Sequence, residues 1–188
     1  TTDTVYQYSL DHAFNLRTAS YDSVSFSVPQ DGDPGYPSGL AFNTYGTKMY
    51  MVGYGSDAVY EYNLSTGFDL STASYNSVSF SITQDSGPAG LAFSSLGEKM
   101  YVCGWGYDKI YQYSLSTDFD LSTASYDSVE LEIDTEDESP SGIVFSADQR
   151  KLYVVGAEND KIYQYSDWSM LGFSPLAASP LAATGAEE

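Results

Sequence analysis

The chain has 188 residues, with 26 Asp plus Glu against 7 Lys plus Arg and a net charge of -19 at pH 7. That charge repels phosphate backbones and anionic lipid, so nucleic acid is a poor partner and membrane insertion is not expected. At 42% hydrophobic and 15% aromatic residues the chain can bury a core and is no disordered acidic tail.

The single cysteine, Cys103, excludes an internal disulfide and a thiolate metal cluster. The single histidine, His12, leaves imidazole-based triads and zinc sites without support. Few lysines, many Ser and Thr and the acidic coat suit an extracellular or cell-surface protein, where a solvated anionic surface resists association.

Self-comparison uncovers a repeat. Val5-Tyr6-Gln7-Tyr8-Ser9-Leu10 returns as Val59-Tyr60-Glu61-Tyr62-Asn63-Leu64, as Ile110-Tyr111-Gln112-Tyr113-Ser114-Leu115 and as Ile162-Tyr163-Gln164-Tyr165-Ser166. Phe14-Asn15-Leu16 through Val24 recurs at Phe68 through Val78 and at Phe119 through Val129. Pro37-Ser38-Gly39-Leu40-Ala41-Phe42 recurs at Pro88 and at Pro140.

Each unit reads as four short strands, A to D, separated by turn signals. Strand A is Gly39 to Asn43 and its equivalents. Strand B is Lys48-Met49-Tyr50-Met51-Val52 and its equivalents at Lys99 and Lys151, whose near-continuous apolar run implies burial on both faces. Strand C carries the Tyr-x-Tyr pairs, two rings on one face of the pleat. Strand D alternates, with Val24, Phe26 and Val28 against Ser25 and Ser27, as an outer strand with one wet face does.

Four-stranded antiparallel units of this length in tandem predict an all-β fold, a β-propeller of about three blades per chain. The expected organisation is a half-blade over 4–28, blades over 38–82 and 89–133, a partial blade over 141–166, and a Pro/Ala/Ser-rich tail over 167–188. The string Pro-x-Gly-(Leu/Ile)-x-Phe, then Lys-(Met/Leu)-Tyr, then (Val/Ile)-Tyr resembles the YVTN and NHL-like β-propellers of bacterial surface and secreted proteins; Gly39 to Tyr62, Gly90 to Tyr113 and Gly142 to Tyr165 carry it. The resemblance implies the fold and says little of function. In the tail, Leu181-Ala182-Ala183-Thr184-Gly185 is similar to a variant of the sortase recognition pentapeptide.

Counting C and D, two full blades, then A, B and C gives a chain that cannot close on itself, since closed propellers hold roughly four to eight blades. Exposed strand edges then invite a second copy. The expected partner is the chain itself, in a six-bladed ring of two copies whose junction blades draw on both, or in a strand-exchanged filament.

Connections D to A and B to C should share one rim, bringing Tyr36, Tyr54, Trp105, Tyr107 and Asp33 together as a candidate glycan site: aromatic faces stack on sugar C–H groups while carboxylates accept hydroxyl hydrogens. Asp31, Asp33, Glu136, Asp137 and Glu138 offer oxygen ligands for calcium, although Pro34 breaks an EF-hand spacing. Otherwise no cofactor is expected. Asp57, Asp108 and Asp160 recur at one turn, which points to a backbone role. The functional expectation is a non-enzymatic extracellular protein of surface assembly or adhesion. The alternatives are a carbohydrate-binding lectin and a carboxylate-dependent glycoside-active enzyme, for which the spacing selects no catalytic pair.

Overall fold

The computed structural model describes residues 3–29, 35–135, 138–158 and 160–166. Along them run β1 (Thr4–Leu10), β2 (Ala19–Ser27), β3 (Pro37–Phe42), β4 (Lys48–Gly53), β5 (Ala58–Leu64), β6 (Ala73–Ser81), β7 (Pro88–Phe93), β8 (Lys99–Gly104), β9 (Lys109–Leu115), β10 (Ala124–Glu132), β11 (Pro140–Phe145), β12 (Lys151–Gly156) and β13 (Lys161–Ser166). They form four antiparallel meanders: β1-β2, β3-β4-β5-β6, β7-β8-β9-β10 and β11-β12-β13. This is the all-β blade array that the repeat predicts. The tail over 167–188 lies outside the described residues.

The B strands β4 and β8 are buried from their second residue onward. Their sheets are sandwiched between neighbours, which is why no polar alternation is written into them. Hydrophobic clusters therefore sit between blades. Val28 of the first unit joins Met49, Met51, Tyr62 and Leu70 of the next; Tyr50, Val52 and Ile82 join Leu91, Met100 and Val102; Cys103, Ile110 and Leu131 join Leu152 and Val154. Each junction is an interface between repeats, so an internal blade has two faces to fill and a terminal unit keeps one bare. Cys103 is wholly buried, and desolvation pushes its thiol up to about 12, as expected of an inert core residue.

Strand D differs from its sequence reading. It begins at Ala19, Ala73 and Ala124, well before the alternation at Val24, and Tyr21, Tyr75 and Tyr126 pair with Tyr8, Tyr62 and Tyr113. A bulge separates the two halves, with Ser23, Ser77 and Ser128 in the left-handed region at φ 58°, 62° and 56°. The extra residues put the halves out of phase, which hides a single period-two strand. Ahead of each D strand lies a one-turn 3-10 helix, at Leu16–Thr18, Leu70–Thr72 and Leu121–Thr123. Asn15, Asp69 and Asp120 cap these turns by accepting the amides of Arg17, Ser71 and Ser122.

Gly97 shows why the A to B turn carries glycine in the complete blades. Its φ is +78°, and a Cβ there would sit 2.2 Å from the Phe119 ring. Gln149 holds the same turn in the last unit, where no Phe follows among the described residues. Gly97→Ala is expected to cost at least the ~1 kcal/mol of the left-handed backbone and more for the displaced ring. A urea titration should show the midpoint fall with the slope unchanged.

Candidate functional site

The D to A and B to C connections meet on one rim, tied by a repeated backbone bond: Gly55 N–H donates to Gly35 O at 3.0 Å, Trp105 N–H to Gly87 O at 3.1 Å and Ala157 N–H to Ser139 O at 2.9 Å. Tight loops deliver the side chains. Asp57, Asp108 and Asp160 all take positive φ, and the carbonyls of Asp57 and Asp108 accept the amides of Ile82 and Ile133. The recurrent Asp is thus a turn residue that pins the B to C loop to the end of its own blade's D strand.

Three of the aromatic candidates meet. Tyr36 stacks on Tyr54 with centroids 4.9 Å apart and planes 4° from parallel, and Tyr54 meets Trp105 edge-on at 5.8 Å. All three are exposed, a ridge crossing the junction between the second and third sheets. Trp105 lies flat over Gly87, where a Cβ would come within 2.6 Å of the indole. Tyr107 stands apart from this ridge and walls a neighbouring recess. Asp33 lies outside the described residues, as do Asp31, Glu136 and Asp137; Glu138 is exposed. Among the described residues no group of three or more His, Cys, Asp or Glu is gathered to hold a metal ion, and no helix is long and apolar enough to cross a membrane.

The recess, of about 290 Å³, is lined by Asp57, Ser81, Ile82, Asp85, Ser86 and Tyr107 among others. Asp85 is the residue that sequence reasoning passed over. It is 3% exposed. Its Oδ1 accepts from the amides of Gly87 at 2.7 Å and Gly106 at 3.1 Å, so one carboxylate oxygen organises two loops of the rim. The signal in the sequence was Asp85-Ser86-Gly87, an Asx-turn spacing, and nothing marked it as buried.

Burial raises the Asp85 carboxyl above its ordinary value, against the lowering effect of the Gly87, Gly106 and Tyr107 amides and with a further rise from the Asp57 charge. A carboxyl raised on folding stabilises the fold fully below the ordinary carboxylate range, and that contribution is lost as pH rises through the folded value. Asp85→Asn removes this slope while its amide oxygen can still accept from Gly87 and Gly106. Thermal melts should show the variant gaining on the wild-type protein between pH 3 and pH 7. An unchanged difference across that range would contradict the assignment.

No protein-family model and no curated protein matches the chain. Solved structures do. A putative 6-phosphogluconolactonase from Bacteroides fragilis matches with a TM-score of 0.60 at 13% identity, over 91% of this chain and 46% of that one. The periplasmic gluconolactonase of Pseudomonas aeruginosa matches at 0.56 and 17% identity, over 87% and 44%. A β-propeller domain from Myceliophteria thermophila matches at 0.52 and 15% identity, over 77% and 41%. The expectation of a non-enzymatic protein is overturned here, because the fold is shared with proteins named as lactonases, which are enzymes. Scarcity of His and Cys was the reason for that expectation, and it is no bar on a scaffold that hosts many chemistries. By fold the chain is a β-propeller blade array that spans less than half the length of each of these structures.

Proposed function

We propose that the chain is a half-ring that works by completing a propeller with a second copy of itself, a surface-assembly module of the YVTN or NHL-like kind, placed outside the cell where its acidic coat keeps finished rings apart. The observation that carries this is repeat-for-repeat burial. Leu70 and Leu121 are 5% and 0% exposed, whereas Leu16, the same residue of the first unit, is 82% exposed. At the other end Val155 is 45% exposed, whereas Val52 and Cys103 are both at 0%. Leu40 is exposed while its equivalent Leu91 is buried.

These bare surfaces are complementary. At an internal junction, a strand-B residue such as Val52 packs with a strand-A leucine, Leu91, of the following blade. Leu40 lines a groove of about 370 Å³ with Val5, Val28 and Met51, and what it lacks is such a valine. Val155 of a second copy supplies it. The ring then forms when β11 and β12 of one copy join β1 and β2 of the other, with β13 giving way to β1. β13 is exposed at every second position where β9 is buried, so its exchange sacrifices little. Two copies hold about the length of one of the matched structures.

The complete blades specify further contacts for the mixed blade. Leu70 N–H donates to Gln7 Oε1 at 2.9 Å and Leu121 N–H to Glu61 Oε2 at 2.9 Å, so each strand C holds the 3-10 turn of the next unit. By the same rule Gln112 receives the Leu16 turn of the partner copy. Lys99 pairs with Asp127 at 2.8 Å within a blade; in the mixed blade the equivalent pair is Lys151 with Asp22 of the other chain. Sedimentation equilibrium tests the reading: twice the 20.5 kDa chain mass supports a closed ring, an open series of larger masses a filament, and a single-chain mass at micromolar concentration defeats it.

A second reading, glycan binding at the rim, is favoured by the contiguous ridge of Tyr36, Tyr54 and Trp105. Exposed aromatic planes beside acidic loops suit sugar rings whichever way the ring is closed. A glycan array on wild-type protein with Tyr54→Ala and Trp105→Ala controls tests it.

A further inference from the structure

The recess beside the ridge has an unmet need. Two carboxylate oxygens in it, Asp57 Oδ1 and Asp85 Oδ2, are buried and meet no hydrogen-bond donor among the described residues. Asp85 is nearly inaccessible, and its other oxygen is fully committed to the loop amides. A buried acceptor without a donor costs about 1–3 kcal/mol, more when charged, so the site is built to receive donors from outside the chain.

What could supply them is narrowed by the lining. Among the described residues two carboxylates face the recess, and Ser81, Thr83, Ser86 and Tyr107 contribute hydroxyls, which are weak ligands for a hard cation and good partners for another hydroxyl. Tyr107, 62% exposed, gives a flat aromatic wall. A volume of about 290 Å³ is far more than one ion needs and stands near the low end of small-molecule pockets, about 300 Å³. Aromatic wall and paired acceptors together describe the two sides of a pyranose: C–H groups on one, O–H groups on the other.

We infer that this recess binds a single neutral pyranose, whose hydroxyls donate to Asp57 Oδ1 and Asp85 Oδ2 while its C–H face lies on Tyr107. The inference rests on the glycan reading of the rim and places its hydroxyl recognition here rather than on the ridge. The site belongs to this junction: the position of Tyr107 is Ser56 in the preceding blade, which offers no wall. Two carboxylates also impose a charge rule. Neutral sugars enter and hexuronates are refused by like-charge repulsion.

Saturation-transfer NMR of the intact chain against free glucose, galactose, mannose and glucuronate reads this directly. At least one neutral pyranose should bind and glucuronate should not. Asp57→Asn, Asp85→Asn and Tyr107→Ala should each weaken that binding about tenfold or more, with thermal melts confirming that the variants fold. Tyr36→Ala, at the far end of the ridge, should change it less than twofold. Binding lost in Tyr36→Ala or Trp105→Ala and kept in Asp57→Asn and Asp85→Asn overturns the recess while sparing the glycan reading. No sugar bound by wild-type protein overturns both, as does calcium alone saturating the recess with both aspartates required.

Discussion

Reversing one charge at either end of the chain should collapse the proposed two-copy ring to single chains, and reversing both should restore it. Asp22→Lys or Lys151→Glu alone places like charges opposite one another in the mixed blade. The corresponding pair inside a complete blade, Lys99 with Asp127, closes at 2.8 Å with both side chains largely covered. Half-buried pairs of that kind are screened less than surface pairs, and like charges there cost several kcal/mol. Each single variant is therefore expected to weaken association at least a hundredfold. The double variant, Asp22→Lys with Lys151→Glu, rebuilds the attraction with its sign exchanged. Asp22 is held by Gln7 at 2.9 Å and Ser9 at 3.0 Å on its own hairpin, so Asp22→Lys also carries a local cost, which circular dichroism would register in that single variant. Recovery of mass in the double is the outcome that a purely local effect does not produce. A double variant as dissociated as the singles would remove the mixed blade.

The second large effect lies at Glu61, a carboxylate 2% exposed between two blades. It accepts Lys48 Nζ at 2.8 Å, Asn76 Nδ2 at 2.6 Å and, across the junction, the Leu121 amide at 2.9 Å. The flanking units solve the same place with the charge moved over. There Gln7 donates to Asp22 and Gln112 to Asp127, a strand-C amide facing a strand-D carboxylate. In the middle unit the carboxylate is on strand C and the amide on strand D. Either way one negative charge and one amide share the pocket, and in the two complete blades the charge meets the strand-B lysine.

Glu61→Ala should thus cost about 3–5 kcal/mol, because Lys48 loses its charge partner and the Leu121 amide its acceptor in a covered site. Asn76→Asp alone sets two carboxylates face to face. Glu61→Gln alone leaves Lys48 without its charge partner, at about 1–3 kcal/mol. Combined, Glu61→Gln and Asn76→Asp reproduce the arrangement of the following blade, with Lys48 reaching the strand-D carboxylate as Lys99 reaches Asp127. Denaturant melts of the four species should return a favourable coupling energy of about 2 kcal/mol. Additive losses would show that the two units do not share this geometry.

Blade identity was legible in the residues because the repeat is covalent and local. Tyr-x-Tyr, the apolar B strand and the Pro-x-Gly of strand A each recur with the period their pleat demands, and the all-β array follows from pattern and turn chemistry alone. The rim was legible in part. Gly53-Tyr54-Gly55 and Gly104-Trp105-Gly106 announce aromatics on tight loops, and strand order alone puts those loops on one side. That Tyr36 stacks on Tyr54 depends on how a D to A loop crosses a B to C loop, a contact between segments far apart in the chain.

Asp85 lay beyond the sequence for the same reason: an acidic residue in a polar loop reads as solvated until a glycine-flanked loop from the next blade closes over it. So did the bulge that lengthens strand D, since two out-of-phase halves carry no common period. The amino-acid order by itself determined the repeat, the strands and the surplus of half-blades at the ends. Tertiary structure alone decided which carboxylates are buried, which rings touch and which faces stay bare, because burial is a property of neighbours in space and not of order along the chain.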